Sequence, residues 1–252
     1  MIKIEKTDVF GWESAIRGMR NPLNSWSKSD SGYCEIICNE DEELPEYPEF
    51  EFKVGEADLK LMKSLSKAGP DHGKFLRYIN VTLDINAPLY WWKEYDTYKV
   101  GTVANSCSTM HKVQAKEFTM DDFSCDHLDM LGYGECCNYI DSRWFLRDVI
   151  EHLNRAREEY IKYETLLKDK TLDQEDRKMY TALKKQYWWQ MIQLLPSSYN
   201  QKRTVQLNYQ VLKSMYFARR SHKLDEWHDF CDWCESLPYF KEICIQEGGA
   251  NE

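Results

Sequence analysis

The chain has 252 residues, a formal charge of −9 and a sequence pI near 5.3. The acidic balance argues against a general binder of nucleic acid or of membrane surfaces, because such proteins present basic faces to phosphate. No apolar run approaches the ~20 residues that span a bilayer, and the N-terminus is too polar for a signal peptide, so we expect a cytoplasmic protein. The length favours a single domain over residues 1–252. We expect neither nucleic acid nor a membrane as a partner.

The first part of the chain predicts a short strand and two helices. The first helix ends at Asn21-Pro22 and carries Arg17 and Arg20 on one face. An acidic stretch with several prolines follows, which indicates a strand and then an exposed loop. The second helix begins near Val54 and ends at Gly69-Pro70.

Residues 76–86 give the clearest strand pattern in the chain. Polar residues from Tyr78 to Asn86 alternate with apolar residues from Ile79 to Ile85, which is the period of a half-buried strand. A short aromatic helix follows, and then residues 97–112, which are rich in hydroxyl and amide side chains. Such a stretch binds phosphates and ring edges in some proteins and satisfies its own backbone in most.

Two long helices are predicted next, as scaffold. The first covers residues 141–167, with an apolar stripe of Phe145, Val149, Leu153, Ala156 and Tyr160. The second begins at the capping box Thr171-x-x-Gln174 and ends before Pro196, with a stripe of Tyr180, Leu183, Tyr187, Met191 and Leu194. A strand over residues 203–207 and closing helices over residues 223–234 and 239–245 complete the chain.

The stretch from Leu207 to Trp227 combines an amphipathic helix with unusual polar ends. Asn208 opens the helix and Arg219 closes it, and the predicted apolar face is Val211, Leu212, Met215 and Phe217. Directional polar groups gather at and beyond its two ends, namely Asn208, Gln210, Arg219, Arg220, His222 and Glu226. This concentration suggests a binding role in addition to packing.

The sequence contains one pattern that suits zinc, His228-x-x-Cys231-x-x-Cys234. No fourth ligand with matching spacing accompanies it, so we expect buried thiols and no metal. Glycine patterns for phosphate are missing too, and any phosphate must therefore be held by side chains and helix N-termini.

The order of residues in the C-terminal third resembles the flavin-dependent thymidylate synthases. Leu195-Pro196, a strand, Asn208-x-Gln210-x-Leu212, Arg219 and Glu226-Trp227 follow one another as the family's Leu-Pro, strand, Asn-x-Arg-x-Leu, Leu-Arg and Ala-Gln-x-Glu-Ile do. The middle of the chain is similar, with Asp58-x-Lys60-Leu61 on a helix, then Gly-Pro-Asp-His, the alternating strand, the aromatic helix and a polar loop. The likeness covers most of residues 55–230.

This resemblance implies an α+β domain, with a mainly antiparallel sheet flanked by long helices, that assembles as a homotetramer. The implied reaction moves a methylene group from methylenetetrahydrofolate onto dUMP and reduces it to a methyl, with FAD reduced by NADPH. Arg219 would be catalytic and polarise the pyrimidine. Flavin would be contacted by Asn208, Tyr78, Tyr98 and Lys99, and the nucleotide by Asn105, Ser106, Ser108, Gln210 and Arg219.

The sequence departs from the family at its phosphate-binding arginines, because Gln210 and Ile192 stand where the family has Arg. In the polar loop Asn105 and Ser108 match, whereas the family's Arg-His-Arg, Glu and Arg-Tyr are absent. Replacement cations would be Lys99, Lys202, Arg203 or Arg220. The aromatic residues Trp91, Trp92, Tyr95 and Tyr98 either stack on flavin or form core. Two alternatives follow: a non-catalytic homologue that binds a nucleotide or a protein partner, and a flavoenzyme that modifies another pyrimidine nucleotide.

Overall fold

The computed structural model describes residues 2–35, 50–128, 130–131 and 140–245. The acidic loop predicted after the first helix lies largely outside these residues. Within them the helices are α1 (Trp12–Arg20), α2 (Glu56–Lys67), α3 (Leu89–Tyr95), α4 (Ser142–Leu166), α5 (Gln174–Leu194), α6 (Tyr209–Arg219) and α7 (Asp225–Ser236). The strands are β1 (Lys3–Phe10), β2 (Gly32–Glu35), β3 (Phe50–Lys53), β4 (Asn80–Pro88), β5 (Val103–Ser106), β6 (Met130–Leu131), β7 (Ile140–Asp141) and β8 (Asn200–Asn208). Short 3-10 turns and a π-helical turn at Lys241–Ile245 join them.

The main sheet has four strands in the order β1, β4, β8, β5. Its central strands, β4 and β8, are antiparallel. At one end of the pair Tyr209 N–H donates to Ile79 C=O (3.0 Å), and at the other end Leu89 N–H donates to Tyr199 C=O (3.0 Å). Two small antiparallel ribbons, β2 with β3 and β6 with β7, stand apart from this sheet. The predicted α+β class with a mainly antiparallel sheet and long helices is confirmed.

The described chain divides into two compact units. We call the first the hairpin unit, because it contains the antiparallel helices α4 and α5; it comprises mainly Ile85–Thr97 and Asn105–Arg203. We call the second the terminal unit, comprising Ile4–Asp84, Tyr98–Ala104 and the chain from Thr204 onwards. The expectation of a single domain over the whole chain stays a prediction.

The predicted alternating strand is found as β4, with a later start than predicted. Its apolar positions are buried and its polar positions are half-buried, as the period of two requires. The strand begins at Asn80, however, because Gly73–Arg77 forms a 3-10 helix and Tyr78 caps it. Tyr78 is therefore a turn residue with 52% of its surface exposed, and its assignment to the strand was wrong.

In the hairpin unit both long helices have the predicted bounds within three residues, but their buried stripes differ from the predicted ones. Helix α4 buries Leu146, Ile150, Leu153 and Ala156, whereas Phe145 is exposed. Helix α5 buries Met191 fully and leaves Leu194 exposed. The N-cap of α5 is Asp173, whose carboxylate accepts from Asp176 N–H at 2.8 Å, and not the predicted Thr171. A shift of one position turns a side chain by about 100° around a helix, which explains how Leu146 replaces Phe145.

The aromatic residues of α3 form core in the hairpin unit. Trp91, Trp92 and Tyr95 are at most 2% exposed and pack edge-on or tilted against one another. Their burial excludes them as an open stacking surface for a flavin ring in this chain. None of the described helices is both long and apolar enough to cross a membrane.

Candidate functional site

Helix α6 has the two ends that the sequence predicts. Asn208 occupies the N-cap in an extended conformation, and its side-chain oxygen accepts from Val211 N–H at 3.1 Å. This bond satisfies one of the N–H groups that a helix leaves without an internal partner, which is why Asn favours the position. Arg219 is the last helical residue. The boundaries inferred from Asn208 and Arg219 are confirmed.

The buried face of α6 differs from the predicted one by two residues. Tyr209, Leu212, Met215 and Tyr216 are buried, so Leu212 and Met215 were predicted correctly. Phe217 is 40% exposed, and Val211 is only half-buried. The backbone N–H of Tyr209 donates to the carbonyl of Ile79, the residue just before β4, and this bond fixes the start of the helix with the tyrosine turned inwards.

The guanidinium of Arg219 lies against two aromatic residues. Its Nε donates to the Tyr98 hydroxyl at 2.9 Å, and its Cζ lies 4.9 Å from the Trp227 ring centroid and 5.4 Å from that of Tyr98. Trp227 is fully buried, and Tyr98 is half-buried. A cation placed near aromatic faces is attracted by their quadrupoles and loses freedom to reorient. Arg219 is therefore a positioned cation.

The loop that carries Tyr98 runs beside α6. Its Gly101 has φ +77°, and a Cβ there would lie 3.0 Å from Val211 Cγ2 and 3.3 Å from Asn208 Nδ2. Thr102 Oγ1 donates to the Tyr98 carbonyl at 2.5 Å and closes the loop. Glycine is needed here both for the positive φ and for the close approach to the first turn of α6. The loop thereby holds Tyr98 at one end of the helix and contacts Asn208 at the other.

The other residues of the terminal unit that were predicted to contact flavin or nucleotide are Lys99, Gln210 and Tyr78. Lys99 is exposed in the same loop. Gln210 is half-buried in the first turn of α6, with its Oε1 3.9 Å from where a Cβ on Gly73 would stand. The Tyr78 ring lies beside Gly18 of α1, and its described contacts do not include Tyr98 or Arg219.

The predicted nucleotide residues Asn105, Ser106 and Ser108 belong to the hairpin unit. Asn105 and Ser106 are exposed on β5, and the Ser108 hydroxyl accepts from His111 N–H at 2.9 Å to close a turn. The structure thus groups Tyr98, Asn208 and Arg219 in one unit and these three residues in the other.

The candidate replacement cations in the hairpin unit have contacts of their own. Arg203 pairs with Asp96 at 2.8 Å, donates to Gln201 Oε1 at 3.0 Å and stacks 4.1 Å from the Trp92 ring centroid. Ile192, at the position of the family's nucleotide-binding Arg, packs against the core formed by α4 and α5. An apolar residue is suited to that environment, and an arginine would leave a charge next to the core.

The His-Cys-Cys pattern on α7 is a packing feature. His228 is exposed and its Nε2 lies 2.8 Å from the His222 carbonyl oxygen, while Cys231 and Cys234 are buried. Burial raises the pKa of the Cys231 thiol to about 11 and holds that of Cys234 well above its usual range. Within the described part of the chain, no three His, Cys, Asp or Glu residues form a group that could hold a metal ion.

The sequence missed Trp227 as a member of the Arg219 cluster. In the sequence analysis Trp227 was used only as part of the Glu226-Trp227 pair that resembles the family. A tryptophan eight positions after a helix-ending arginine is nevertheless a candidate for cation stacking. Gly101 was missed as well. Its signal is a lone glycine in a polar loop, which often marks a close approach of the backbone to another element.

Comparison with known proteins identifies the fold. No protein-family model and no curated protein matches the chain. Among the solved structures that resemble it are two with a TM-score of 0.57 and 13% sequence identity. One is thymidylate synthase X (ThyX) from Helicobacter pylori with FAD and dUMP, where the match covers 98% of each chain. The other is flavin-dependent thymidylate synthase ThyX from Helicobacter pylori complexed with FAD and dUMP, where it covers 97% of this chain and 98% of that one. The chain therefore has the predicted flavin-dependent thymidylate synthase-like fold.

Proposed function

We propose that this chain binds FAD and a pyrimidine nucleotide, and that it catalyses the reductive methylation of dUMP with NADPH and methylenetetrahydrofolate as co-substrates. The observation that carries the proposal is the positioned guanidinium of Arg219, held by Tyr98 and Trp227. It occurs in a chain whose fold resembles that of two structures of ThyX from Helicobacter pylori, both solved with FAD and dUMP.

Arg219 has the chemistry that a pyrimidine ring requires. A guanidinium carries five N–H donors in a fixed plane, and the Nε donor of Arg219 is directed at the Tyr98 hydroxyl. Such a cation polarises a ring carbonyl and stabilises the negative charge that develops on its oxygen. Because Tyr98 and Trp227 restrict its orientation beforehand, little reorganisation is needed when the charge appears.

The residues near α6 fit the polar parts of a flavin. The side-chain oxygen of Asn208 already accepts from Val211 N–H, so its amide nitrogen is the group that would donate to a flavin carbonyl or ring nitrogen. The exposed ammonium of Lys99 suits a phosphate, and Tyr78 is kept as a proposed flavin contact. When bound, FAD would supply the electrons that reduce the transferred methylene group.

The nucleotide contacts are proposed for Asn105, Ser106, Ser108, Gln210 and Arg219. The phosphate contact must differ from that of the family, because Ile192 is an apolar residue packed against the core and Gln210 has no charge. This difference supports two further candidates. One is a flavoenzyme that modifies another pyrimidine nucleotide, and the other is a non-catalytic homologue that binds a nucleotide or a protein partner.

Assembly as a homotetramer in the cytoplasm is part of the proposal. Size-exclusion chromatography with light scattering tests the assembly. A tetramer mass supports it, whereas a monomer at micromolar concentration contradicts it.

The first experiment is a visible absorption spectrum of the purified protein before and after incubation with FAD. Flavin bands that co-elute with the protein support both enzymatic candidates. Failure to retain added FAD contradicts both and favours the non-catalytic homologue. Release of the C5 proton from dUMP, measured with tritiated nucleotide, then distinguishes methylation of dUMP from chemistry on another pyrimidine.

The Arg219→Ala variant tests the role of the guanidinium. We expect turnover to fall about 100- to 1,000-fold, as for loss of one preorganised donor, while the oligomer and the FAD spectrum stay unchanged. Arg219→Lys should recover little, because an ammonium lacks the planar fork. The control is Lys223→Ala, which removes a nearby exposed cation. Wild-type turnover in Arg219→Ala would remove this residue from the mechanism.

A further inference from the structure

A pocket of about 390 Å³ opens in the terminal unit and shares no residue with the Arg219 cluster. It lies between α1, the 3-10 turn at Trp26–Lys28 and strand β3. Its volume falls within the range of small-molecule sites, about 300 to 1,000 Å³. Three charged side chains, Glu13, Arg17 and Arg20, and two aromatic rings, Trp26 and Phe52, form much of its lining.

The charge of Arg20 is already neutralised inside the protein. Its Nε donates to Asp58 Oδ1 at 2.6 Å and its Nη1 to the Ser25 carbonyl at 3.1 Å. Asp58 is fully buried and also accepts from the hydroxyls of Ser29 and Ser31, each at 2.7 Å. A buried ion pair with its remaining lone pairs satisfied needs no further counter-charge. Arg20 is therefore a structural part of the pocket wall.

Glu13 and Arg17 stand one turn apart on α1, and both are exposed. Within the described residues neither side chain has a hydrogen bond or an ion pair. The pocket thus presents one carboxylate and one guanidinium that have no ion pair within the described part of the chain. A ligand with a single negative charge would face Glu13 as well as Arg17, so complementarity favours a ligand that carries one group of each sign.

The two aromatic residues are held in place around the pocket. The Trp26 indole N–H donates to Asn21 Oδ1 at 2.8 Å, and half of its surface is exposed. Phe52 packs edge-on against Tyr33 with ring centroids 5.2 Å apart. Rings fixed in this manner give an apolar surface for a planar group at low entropic cost.

We propose that this pocket binds a free amino acid with an aromatic side chain. Arg17 takes the α-carboxylate, Glu13 takes the α-ammonium, and the side-chain ring lies against Trp26 and Phe52. No described residue of the pocket belongs to the proposed flavin and nucleotide site, so this site goes beyond the proposed function.

Isothermal titration calorimetry with three probes tests the assignment on the full chain. The probes are L-phenylalanine, 3-phenylpropionate, which lacks the ammonium, and phenethylamine, which lacks the carboxylate. We expect L-phenylalanine to bind and each analogue to bind at least about tenfold more weakly, since each loses one charge-assisted contact. The titrations contain neither FAD nor dUMP, so failure here is distinct from failure of the proposed function.

Two substitutions separate the contributions of the charges. In Glu13→Gln we expect L-phenylalanine to bind no better than 3-phenylpropionate, and in Arg17→Gln no better than phenethylamine. The matched control is Lys28→Gln, which removes an exposed cation on the turn that carries Trp26 without changing the lining. All three positions are exposed, and circular dichroism confirms folding.

Three results would overturn the proposal. They are no heat from L-phenylalanine at millimolar concentration with the folded chain, equal affinity for L-phenylalanine and 3-phenylpropionate, and an equal loss of binding in Lys28→Gln and Arg17→Gln.

Discussion

Two arginines of the terminal unit, Arg20 and Arg219, show opposite ways of holding a guanidinium. Arg20 is 4% exposed and forms an ion pair with the fully buried Asp58. Arg219 is half-buried and lies against the aromatic rings of Tyr98 and Trp227. A buried pair makes each partner dependent on the other, whereas aromatic rings restrain the orientation of a cation. The first arrangement serves stability, and the second fixes the orientation of a half-buried guanidinium.

The largest expected effect tests the contribution of the Arg20–Asp58 ion pair to stability. Arg20→Ala should lower the free energy of unfolding by about 3 to 5 kcal/mol, because it leaves the Asp58 carboxylate buried without its cation. Urea unfolding followed by circular dichroism measures the change. The control is Arg17→Ala on the same helix, which should stay within about 0.5 kcal/mol of wild type. Equal losses of unfolding free energy in Arg20→Ala and Arg17→Ala would show that the ion pair with Asp58 does not account for the effect.

The next effect concerns the helix that presents Arg219. Leu212→Ala should cost about 2 to 5 kcal/mol, because Leu212 is fully buried and its truncation opens a cavity. Phe217→Ala should cost about 1 kcal/mol or less, since that ring is largely at the surface. Urea unfolding of both variants decides which face of α6 packs inwards. A greater loss in Phe217→Ala would contradict the observed rotation of the helix.

A smaller effect is expected from the Tyr98 hydroxyl, and it sharpens the functional side of the comparison. Tyr98→Phe removes the acceptor of the Arg219 Nε bond but keeps the ring. Turnover should fall about tenfold at unchanged KM, because a less restrained guanidinium matters most in the transition state. Tyr33→Phe, at an exposed position of β2, is the control. A rise in KM alone would assign Tyr98 to substrate binding instead.

The smallest effect is a pH dependence of the Asp58 pair. Burial raises the pKa of Asp58, but hydrogen bonds from Ser29, Ser31 and Arg20 outweigh it, so the pKa lies below the usual value of 3.8. A folded-state pKa below the unfolded one stabilises the protein above pH 3.8, and this stabilisation is lost as the pH falls through the folded value. The stability gap between wild type and Asp58→Asn should therefore narrow below about pH 4 in urea titrations at several pH values. A stability difference between wild type and Asp58→Asn that does not change with pH would contradict the coupling between Asp58 ionisation and folding.

Local patterns in the sequence predicted the elements well. Asn208 and Arg219 marked the two ends of α6, and the alternation from Asn80 to Ala87 identified the buried face of β4. Long-range contacts were beyond such patterns. The Tyr98 hydroxyl meets Arg219 across 121 positions, and nothing in either neighbourhood indicates that pairing. The inward orientation of Tyr209 likewise depends on its backbone bond to Ile79, which is distant in the sequence and lies just before β4.

The errors have related physical causes. Alternation of polar and apolar residues begins before β4, and the 3-10 turn at Gly73–Arg77 carries Tyr78 to the surface despite the pattern. The α3 aromatics were compatible with a stacking surface or with core, and only their burial decides for core. The pocket beside α1 could not be foreseen, because it requires α1 and β3 to meet around Trp26.

The division of the chain into units also bears on how it folds during synthesis. The hairpin unit is almost entirely contained in residues 85–203, whereas the terminal unit needs residues from both ends of the chain. The hairpin unit can therefore begin to fold on the ribosome while the terminal unit still lacks α6 and α7. Until residues after Thr204 are synthesised, the apolar faces of α1, α2 and β4 lack the helices that cover them. We therefore expect chaperones that bind exposed apolar segments to act mainly on this unit.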